Sequence, residues 1–287
     1  MISDSNNICA GIVLYNPDVD RLLKAINSVV YQVRKIIIVD NASANIKEIK
    51  KQIENIDNIH LICNQTNKGI ATALNQICSF AKRAGCLWCL TLDQDTICNS
   101  DMVKKLLIYQ DTSRIGIICP LVNYEGLNIK AKNIKDDTTD IKGCMTSGSL
   151  TNLGAWNNVG GFREEYFIDF VDNEFCIKIR LAGYRIVRVN SCYMHHQLGY
   201  NKTISFLGVN ICKISSHSPL RLYYMTRNNL LYIFEYKKNL NLPIEYVKLL
   251  KTDIEGILSS NQKFLTFHYI LKGIRDAIRG ISGKYIE

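Results

Sequence analysis

The sequence predicts an α/β protein: a mostly parallel sheet flanked by helices, followed by a helical C-terminal extension. Three observations lead there. Strand-length apolar runs alternate with amphipathic helical stretches through the first half of the chain. Those runs do not alternate in polarity, as expected of strands covered on both faces. Beyond about Ser218 only helical patterns remain.

Taken in order, CAGIVL (Cys9 to Leu14), KIIIVD (Lys35 to Asp40), IHLIC (Ile59 to Cys63) and LWCLTL (Leu87 to Leu92) read as central strands. Asp18 to Val30 carries Leu22, Leu23, Ile26, Val29 and Val30 at helical spacing, and Ile70 to Ala84 carries Ile70, Ala73, Leu74, Ile77, Phe80 and Ala81. A βαβαβαβ order implies a parallel sheet between helix layers. In such sheets ligands bind beyond the carboxyl ends of the strands, where Asp40, Asp93 and Asp95 fall. From about Ile141 to Gly199 glycines mark turns around one clear helix, Asp172 to Ala182. Three helical segments follow: LRLYYMTRNNLLYIFEY, a stretch opened by Pro243, and FLTFHYILKGIRDAIRG. The expected division is a main domain over 1–215 and an extension over 216–287.

Composition narrows the function. The 287 residues include 35 Lys and Arg against 26 acids, a formal charge of +9 that favours a polyanionic partner: nucleic acid, an anionic membrane face or a phosphorylated ligand. From Lys213 onward Lys and Arg number 12 and Asp and Glu 6, so most of the excess lies in the last quarter. No nucleic-acid module is recognisable, so no nucleic-acid partner is expected. Met1 opens no basic-plus-apolar leader and no apolar run reaches membrane-span length, which predicts a cytoplasmic protein. Eleven cysteines, odd in number and scattered through apolar runs (Cys9, Cys89, Cys119), read as reduced thiols in the core, with Cys86 and Cys89 a lone CxxC.

The stretch LTLDQDT (Leu90 to Thr96) sets two carboxylates at a strand end. Polar residues can simply cap a buried strand there. Alternatively, paired hard oxygens hold Mg²⁺ or Mn²⁺ incompletely and leave positions for diphosphate oxygens. Other segments favour the second reading. IVDNAS (Ile38 to Ser43), NKGIATALNQ (Asn67 to Gln76), TLDQDT and YFIDFVDNEFCIKIRLAGY (Tyr166 to Tyr184) together resemble the family 2 glycosyltransferases of GT-A fold, whose sheet is Rossmann-like. More narrowly, DQDT, SGSL (Ser147 to Leu150), NNVGGFREEYFID, HQLG (His196 to Gly199) and HSPLRLYYMTRNN (His217 to Asn229) are similar to bacterial rhamnosyltransferases that use dTDP-L-rhamnose to build O-antigen and related polysaccharides.

The resemblance implies a nucleotide-binding half over about 1–120 and an acceptor half over about 121–215. It places Asp40 at the nucleobase or ribose and the loop of Asn67, Lys68 and Gly69 near the nucleotide. Asp93 contacts the nucleotide sugar and the metal, Asp95 is the direct metal ligand, and His196, with His195 adjacent, completes the metal shell. The cofactor is Mg²⁺ or Mn²⁺. Where the family carries Glu-Asp this chain has Val171 and Asp172, so Asp172 is the expected general base, with Asp169 next. Arg221 and Arg227 are candidates for the diphosphate. The implied reaction is inverting transfer of rhamnose to a lipid-linked oligosaccharide. The alternatives are a galactofuranosyl or hexosyl transferase using a UDP-sugar, or a non-catalytic sugar-nucleotide-binding assembly subunit. The last helix mixes Phe264, Phe267, Tyr269, Ile270, Leu271 and Ile274 with Lys263, Lys272, Arg275 and Arg279. Such a composition suits the inner, anionic face of the cell membrane, and equally an amphipathic helix packed on the main domain.

Overall fold

The structure, a computed structural model, describes residues 7–124, 136–196, 201–206 and 209–286. Its first elements are β1 (Ile8–Leu14), α1 (Val19–Val29), β2 (Lys35–Asp40), α2 (Ile46–Ile53), β3 (Ile59–Cys63), α3 (Ile70–Arg83) and β4 (Trp88–Asp93). They match the strands and two helices read from the sequence to within a residue or two at each end. Next come β5 (Ile97–Cys98), α4 (Met102–Leu107), β6 (Ile115–Tyr124), β7 (Thr138–Asp140), β8 (Ser149–Asn152), α5 (Leu153–Asn158), α6 (Val171–Leu181) and β9 (Arg185–His196). A hairpin, β10 (Asn201–Phe206) and β11 (Val209–Ser215), leads to α7 (Pro219–Tyr236), α8 (Leu242–Ser259) and α9 (Lys263–Ile278).

The sheet runs β3-β2-β1-β4-β8-β6-β9-β5, with β7 on β9. Its first four strands are parallel, and β8 is antiparallel to both β4 and β6. Strands β1, β2 and β4 are buried between helices, which is why their runs show no alternation; β3, expected as a central strand, is instead the edge of the sheet and only half-buried, with Cys63 exposed. Register fixes the site at this stage. Asp40 pairs with Leu14 and Asp93 with the adjacent Val13, so the two carboxylates end the strands on either side of β1 at one edge of the sheet.

Among the described residues eight cysteines are buried in the core, while Cys144 is half-buried and Cys63 exposed. Cys86 Sγ lies 3.0 Å from Cys9 Sγ, whereas the Cys89 thiol meets Cys78 and is pushed well up by that contact and by burial. The two cysteines of the CxxC thus face different thiols.

The chain divides into two compact units, Met1–Glu164 with Val171–Gln197, and Glu165–Phe170 with Leu198–Glu287. The β10–β11 hairpin belongs to the same unit as the C-terminal helices, and α8 packs on β11. In the second unit α7 is the centre and α8 and α9 pack along it. On α8 the inward Asp253 accepts a hydrogen bond from Thr226 Oγ1 at 2.7 Å, and burial pushes its carboxyl up to about 6. The folded chain therefore holds a proton there that the unfolded chain has released. This contribution to stability is present below the ordinary carboxylate range and is lost as pH rises through about 6. Asp253→Asn keeps the shape and removes the charge. It is expected to raise the stability at pH 7.5 by on the order of 2–3 kcal/mol and to change little at pH 4; thermal melts at the two pH values check this.

Candidate active site

The DQDT turn is held by its neighbours' polar atoms. Asp93 ends β4, and its N–H donates to Ser147 Oγ at 2.9 Å, which also meets Thr96 Oγ1 at 2.7 Å. Gln94 Oε1 accepts the Tyr15 N–H at 2.9 Å, and Arg21 Nε donates to the Asp95 carbonyl at 3.1 Å. The Asp95 carboxylate, half-buried, takes no hydrogen bond or ion pair from the described residues. Two residues later Ile97 pairs with His195, so the end of β9 that carries His195 and His196 runs beside the exit of this turn. The side chains of both histidines, and Gln197 to Gly199 of the HQLG motif, lie outside the described residues.

Asp40 is 1% exposed and both of its carboxylate oxygens accept the Ser43 N–H, at 3.3 and 3.1 Å. It holds the VDNAS turn. Beside it Asn41 Nδ2 donates to the Gly69 carbonyl, Asn64 Nδ2 donates to Asn41 Oδ1, and Asn64 and Gln76 exchange amide bonds. This chain of amides ties the ends of β2 and β3 to α3. Gly69 has φ 85°, a backbone conformation that side-chain-bearing residues adopt at a cost, and its N–H is fixed by Asn67 Oδ1 at 2.9 Å. Among the described residues no side chain caps α3 at its N-cap, and Lys68 beside that end is exposed.

Asn75, on α3, orders the NNVGGFREE segment. Its Oδ1 accepts Trp156 Nε1 (3.1 Å) and the Phe162 N–H (2.8 Å), and its Nδ2 donates to the Phe162 carbonyl (2.8 Å) and Glu164 Oε1 (2.9 Å). Asn75→Ala is expected to cost about 1–3 kcal/mol for each buried group it leaves unpaired, read as a lowered urea midpoint. Beyond this segment Asp172 stands in the first turn of α6, where the helix dipole favours a carboxylate. It faces Cys144, Met145, Thr146 and Ser149. The same stretch of chain supports Asp93 through Ser147, and so links the DQDT turn to Asp172 within the first unit. Glu174, two residues on, is buried and pairs with Lys178 at 3.3 Å. A largely apolar pocket of about 360 Å³ opens on the other side of this stretch, among Leu121, Val122, Met145, Ser147 and Arg188.

The remaining expected residues belong to the second unit. Arg221 grips both oxygens of Asp169 through Nε and Nη2, at 3.1–3.4 Å. Phe167, Asp169 and Phe170 all have positive φ, 62° to 63°. Each costs on the order of 1–3 kcal/mol. The strain is held by Asn228, whose Nδ2 donates to the carbonyls of Tyr166, Ile168 and Asp169. Arg227, the other candidate for the diphosphate, lies in the core of this unit. It is 0% exposed, bonded to Asn228 Oδ1, Tyr223 Oη and the Gly283 carbonyl, and flanked by the Tyr223 and Tyr224 rings. Its guanidinium is a core support of the Asn228 amide. Ser147, Asn75 and Asn228 all lie in motifs read from the sequence without a role for them. Only Asn75 carries a local signal, a polar residue close to Leu74 and Ile77 on a helix whose pattern is buried.

Solved structures similar to this one include glycosyltransferases. TarS from S. aureus, determined with UDP-GlcNAc, is similar with a TM-score of 0.59 over 96% of this chain and 81% of that one, at 15% identity. The mannosyltransferase PcManGT from Pyrobaculum calidifontis, determined with GDP-Man and Mn²⁺, gives 0.56 over 96% and 74%, at 10% identity. The fold is GT-A, and the enzyme class is glycosyltransferase. The profile of Glycosyl transferase family 2 matches residues 9–178, and the dTDP-rhamnosyl transferase RfbF of Shigella flexneri is 30% identical over 97% of this chain and 98% of its own length. The chain belongs to glycosyl transferase family 2 and is similar to rhamnosyltransferases within it.

Proposed function

We propose that the protein is an inverting, metal-dependent rhamnosyltransferase that moves L-rhamnose from dTDP-L-rhamnose to a sugar hydroxyl of a lipid-linked oligosaccharide. The observation that carries the donor is the similarity to RfbF along 97% of the chain. In this reading Asp172 accepts the proton of the attacking hydroxyl as the new C–O bond forms at the anomeric carbon and the bond to the diphosphate breaks. Alignment of the nucleophile and leaving group supplies much of the rate, so the Ser147 and Asn75 networks act as positioning elements. Asp93 contacts the nucleotide sugar. Asp40, Asn67, Lys68 and Gly69 border the nucleotide, Asp40 by shaping the turn it holds. Arg221 and Arg227 remain the candidate cations for the diphosphate.

The residues fit a divalent cation, Mg²⁺ or Mn²⁺. Asp95 offers a carboxylate without a partner among the described residues, Asp93 lies two positions away, and the His195–His196 backbone adjoins the turn. Among the described residues no group of three potential ligands forms a closed cage. An incomplete set of hard oxygens leaves positions for diphosphate and water. Bound at Asp95, such an ion supplies electrostatic stabilisation of the charge that gathers on the departing dTDP. The acceptor's lipid puts the enzyme in the cytoplasm at the inner face of the cell membrane. No described helix is long and apolar enough to cross one.

Thermal melts with dTDP, UDP or GDP, each with and without Mg²⁺ or Mn²⁺, test the donor. A ligand at 100 times its Kd stabilises the native state by about 2.7 kcal/mol, and the largest shift is expected with dTDP plus metal. A UDP preference would replace this reading with a hexosyl or galactofuranosyl transferase. A shift without turnover would favour the non-catalytic sugar-nucleotide-binding subunit, and no shift with any nucleotide would contradict the donor reading altogether.

A further inference from the structure

Helices α8 and α9 are amphipathic in the inverted sense. The inner face of α8 is Leu249, Asp253, Gly256 and Ser259, and that of α9 is Thr266, Ile270, Gly273, Asp276 and Ala277. Small and hydrogen-bonded residues let these faces approach α7 closely. A Cβ on Gly256 would lie 2.6 Å from Leu222 side-chain carbons, and one on Gly273 would lie 2.8 Å from the Tyr223 carbonyl. The large apolar residues point outward. On α8, Ile244, Val247, Leu250, Ile254 and Leu258 recur at three- and four-residue intervals and stand 49–64% exposed. On α9, Phe264 (95%), Phe267 (51%), Leu271 (49%) and Ile278 (70%) form a second outward stripe. Two such stripes on neighbouring helices are not scattered surface residues; they mark an interaction face.

Charge selects the occupant. Lys248 and Lys251 on α8 are paired with Glu245 and Glu255, so that helix is near neutral. Along α9 and its end stand Lys263, Lys272, Arg275 and Arg279; the one acid there, Asp276, is buried, accepts from Tyr223 Oη and pairs with Arg275 at 2.7 Å, which leaves Lys263, Lys272 and Arg279 as the cations without an acidic partner on this helix. An isologous pairing through this face would bring the cationic sets of two copies into one interface with no exposed acid on α9 to offset them. An anionic lipid surface complements them while its acyl boundary receives the stripes.

We infer that the outward faces of α8 and α9 form a membrane-docking surface that lies in the headgroup–acyl boundary of an anionic bilayer. The purpose of such docking, access to a lipid-linked acceptor, rests on the proposed function; the docking itself is measured without turnover. Flotation of the full chain with phosphatidylglycerol/phosphatidylcholine vesicles, compared with phosphatidylcholine alone, is the test. The wild-type protein is expected to float with the anionic vesicles and to be released by high salt. Phe264→Ser with Phe267→Ser, at exposed positions that leave the core intact, is expected to weaken binding about tenfold or more. Lys263→Glu with Arg279→Glu should do the same without touching the stripe. Unchanged dTDP-induced melting shifts in both variants would separate docking from the donor site. Failure of the wild-type chain to float, or a concentration-dependent dimer that the Phe variant dissolves, would overturn the inference.

Discussion

Asp172→Asn is expected to transfer rhamnose about 10²–10⁴-fold more slowly than the wild type, the range for loss of a general base, while binding dTDP-L-rhamnose about as well. The amide keeps the shape of the carboxylate against Cys144, Met145 and Thr146. It cannot take the hydroxyl proton, and it loses the interaction with the α6 dipole, worth about 0.3–1 kcal/mol. Stability therefore changes little while turnover collapses. Single-turnover rates with saturating donor, set beside the donor Kd, separate the two effects. Asp169→Asn is the necessary companion. It weakens the Arg221 pair and is expected to retain measurable transfer; a dead Asp169→Asn with an active Asp172→Asn would exchange their roles.

The second large effect is at Asp95. Asp95→Ala should abolish the dependence of turnover on Mg²⁺ or Mn²⁺ together with nearly all turnover. The melting temperature without ligand should stay near that of the wild type, because the carboxylate has no partner among the described residues to lose. Asp40→Ala provides the contrast. That carboxylate is buried and holds the Ser43 N–H, so its removal lowers stability by about 1–3 kcal/mol before any effect on nucleotide is read. Retained metal-stimulated activity in Asp95→Ala would remove the metal assignment.

The parallel half of the sheet was legible because β1, β2, β3 and β4 are short, continuous apolar runs between amphipathic helices. The short helix α2 was not, since IKEIKKQI buries only Ile49 and Ile53. Strand β9 was hidden for a different reason: RIVRVNSCYMHH mixes polar and apolar residues over 12 positions while pairing with β5, β6 and β7 in turn. The Asp-x-Asp turn could be found from local sequence because a strand end and its motif coincide. Its supports could not, since Ser147 reaches Asp93 across 54 residues. The burial of Arg227 was not legible for a physical reason. Helical periodicity assumes that charge marks the solvated face, yet α7 buries Thr226, Arg227, Asn228 and Asn229, and their hydrogen bonds depend on tertiary partners that no periodicity reveals.

The most direct test of the central claim is to incubate the purified protein with dTDP-L-rhamnose, Mg²⁺ or Mn²⁺ and a lipid-diphosphate-linked acceptor, and to determine the anomeric configuration of the new linkage by NMR. The account predicts a rhamnosylated product whose anomeric configuration is opposite to that of the donor, formed only with metal. Retention of configuration, or transfer from a UDP-hexose in preference to dTDP-L-rhamnose, would contradict it.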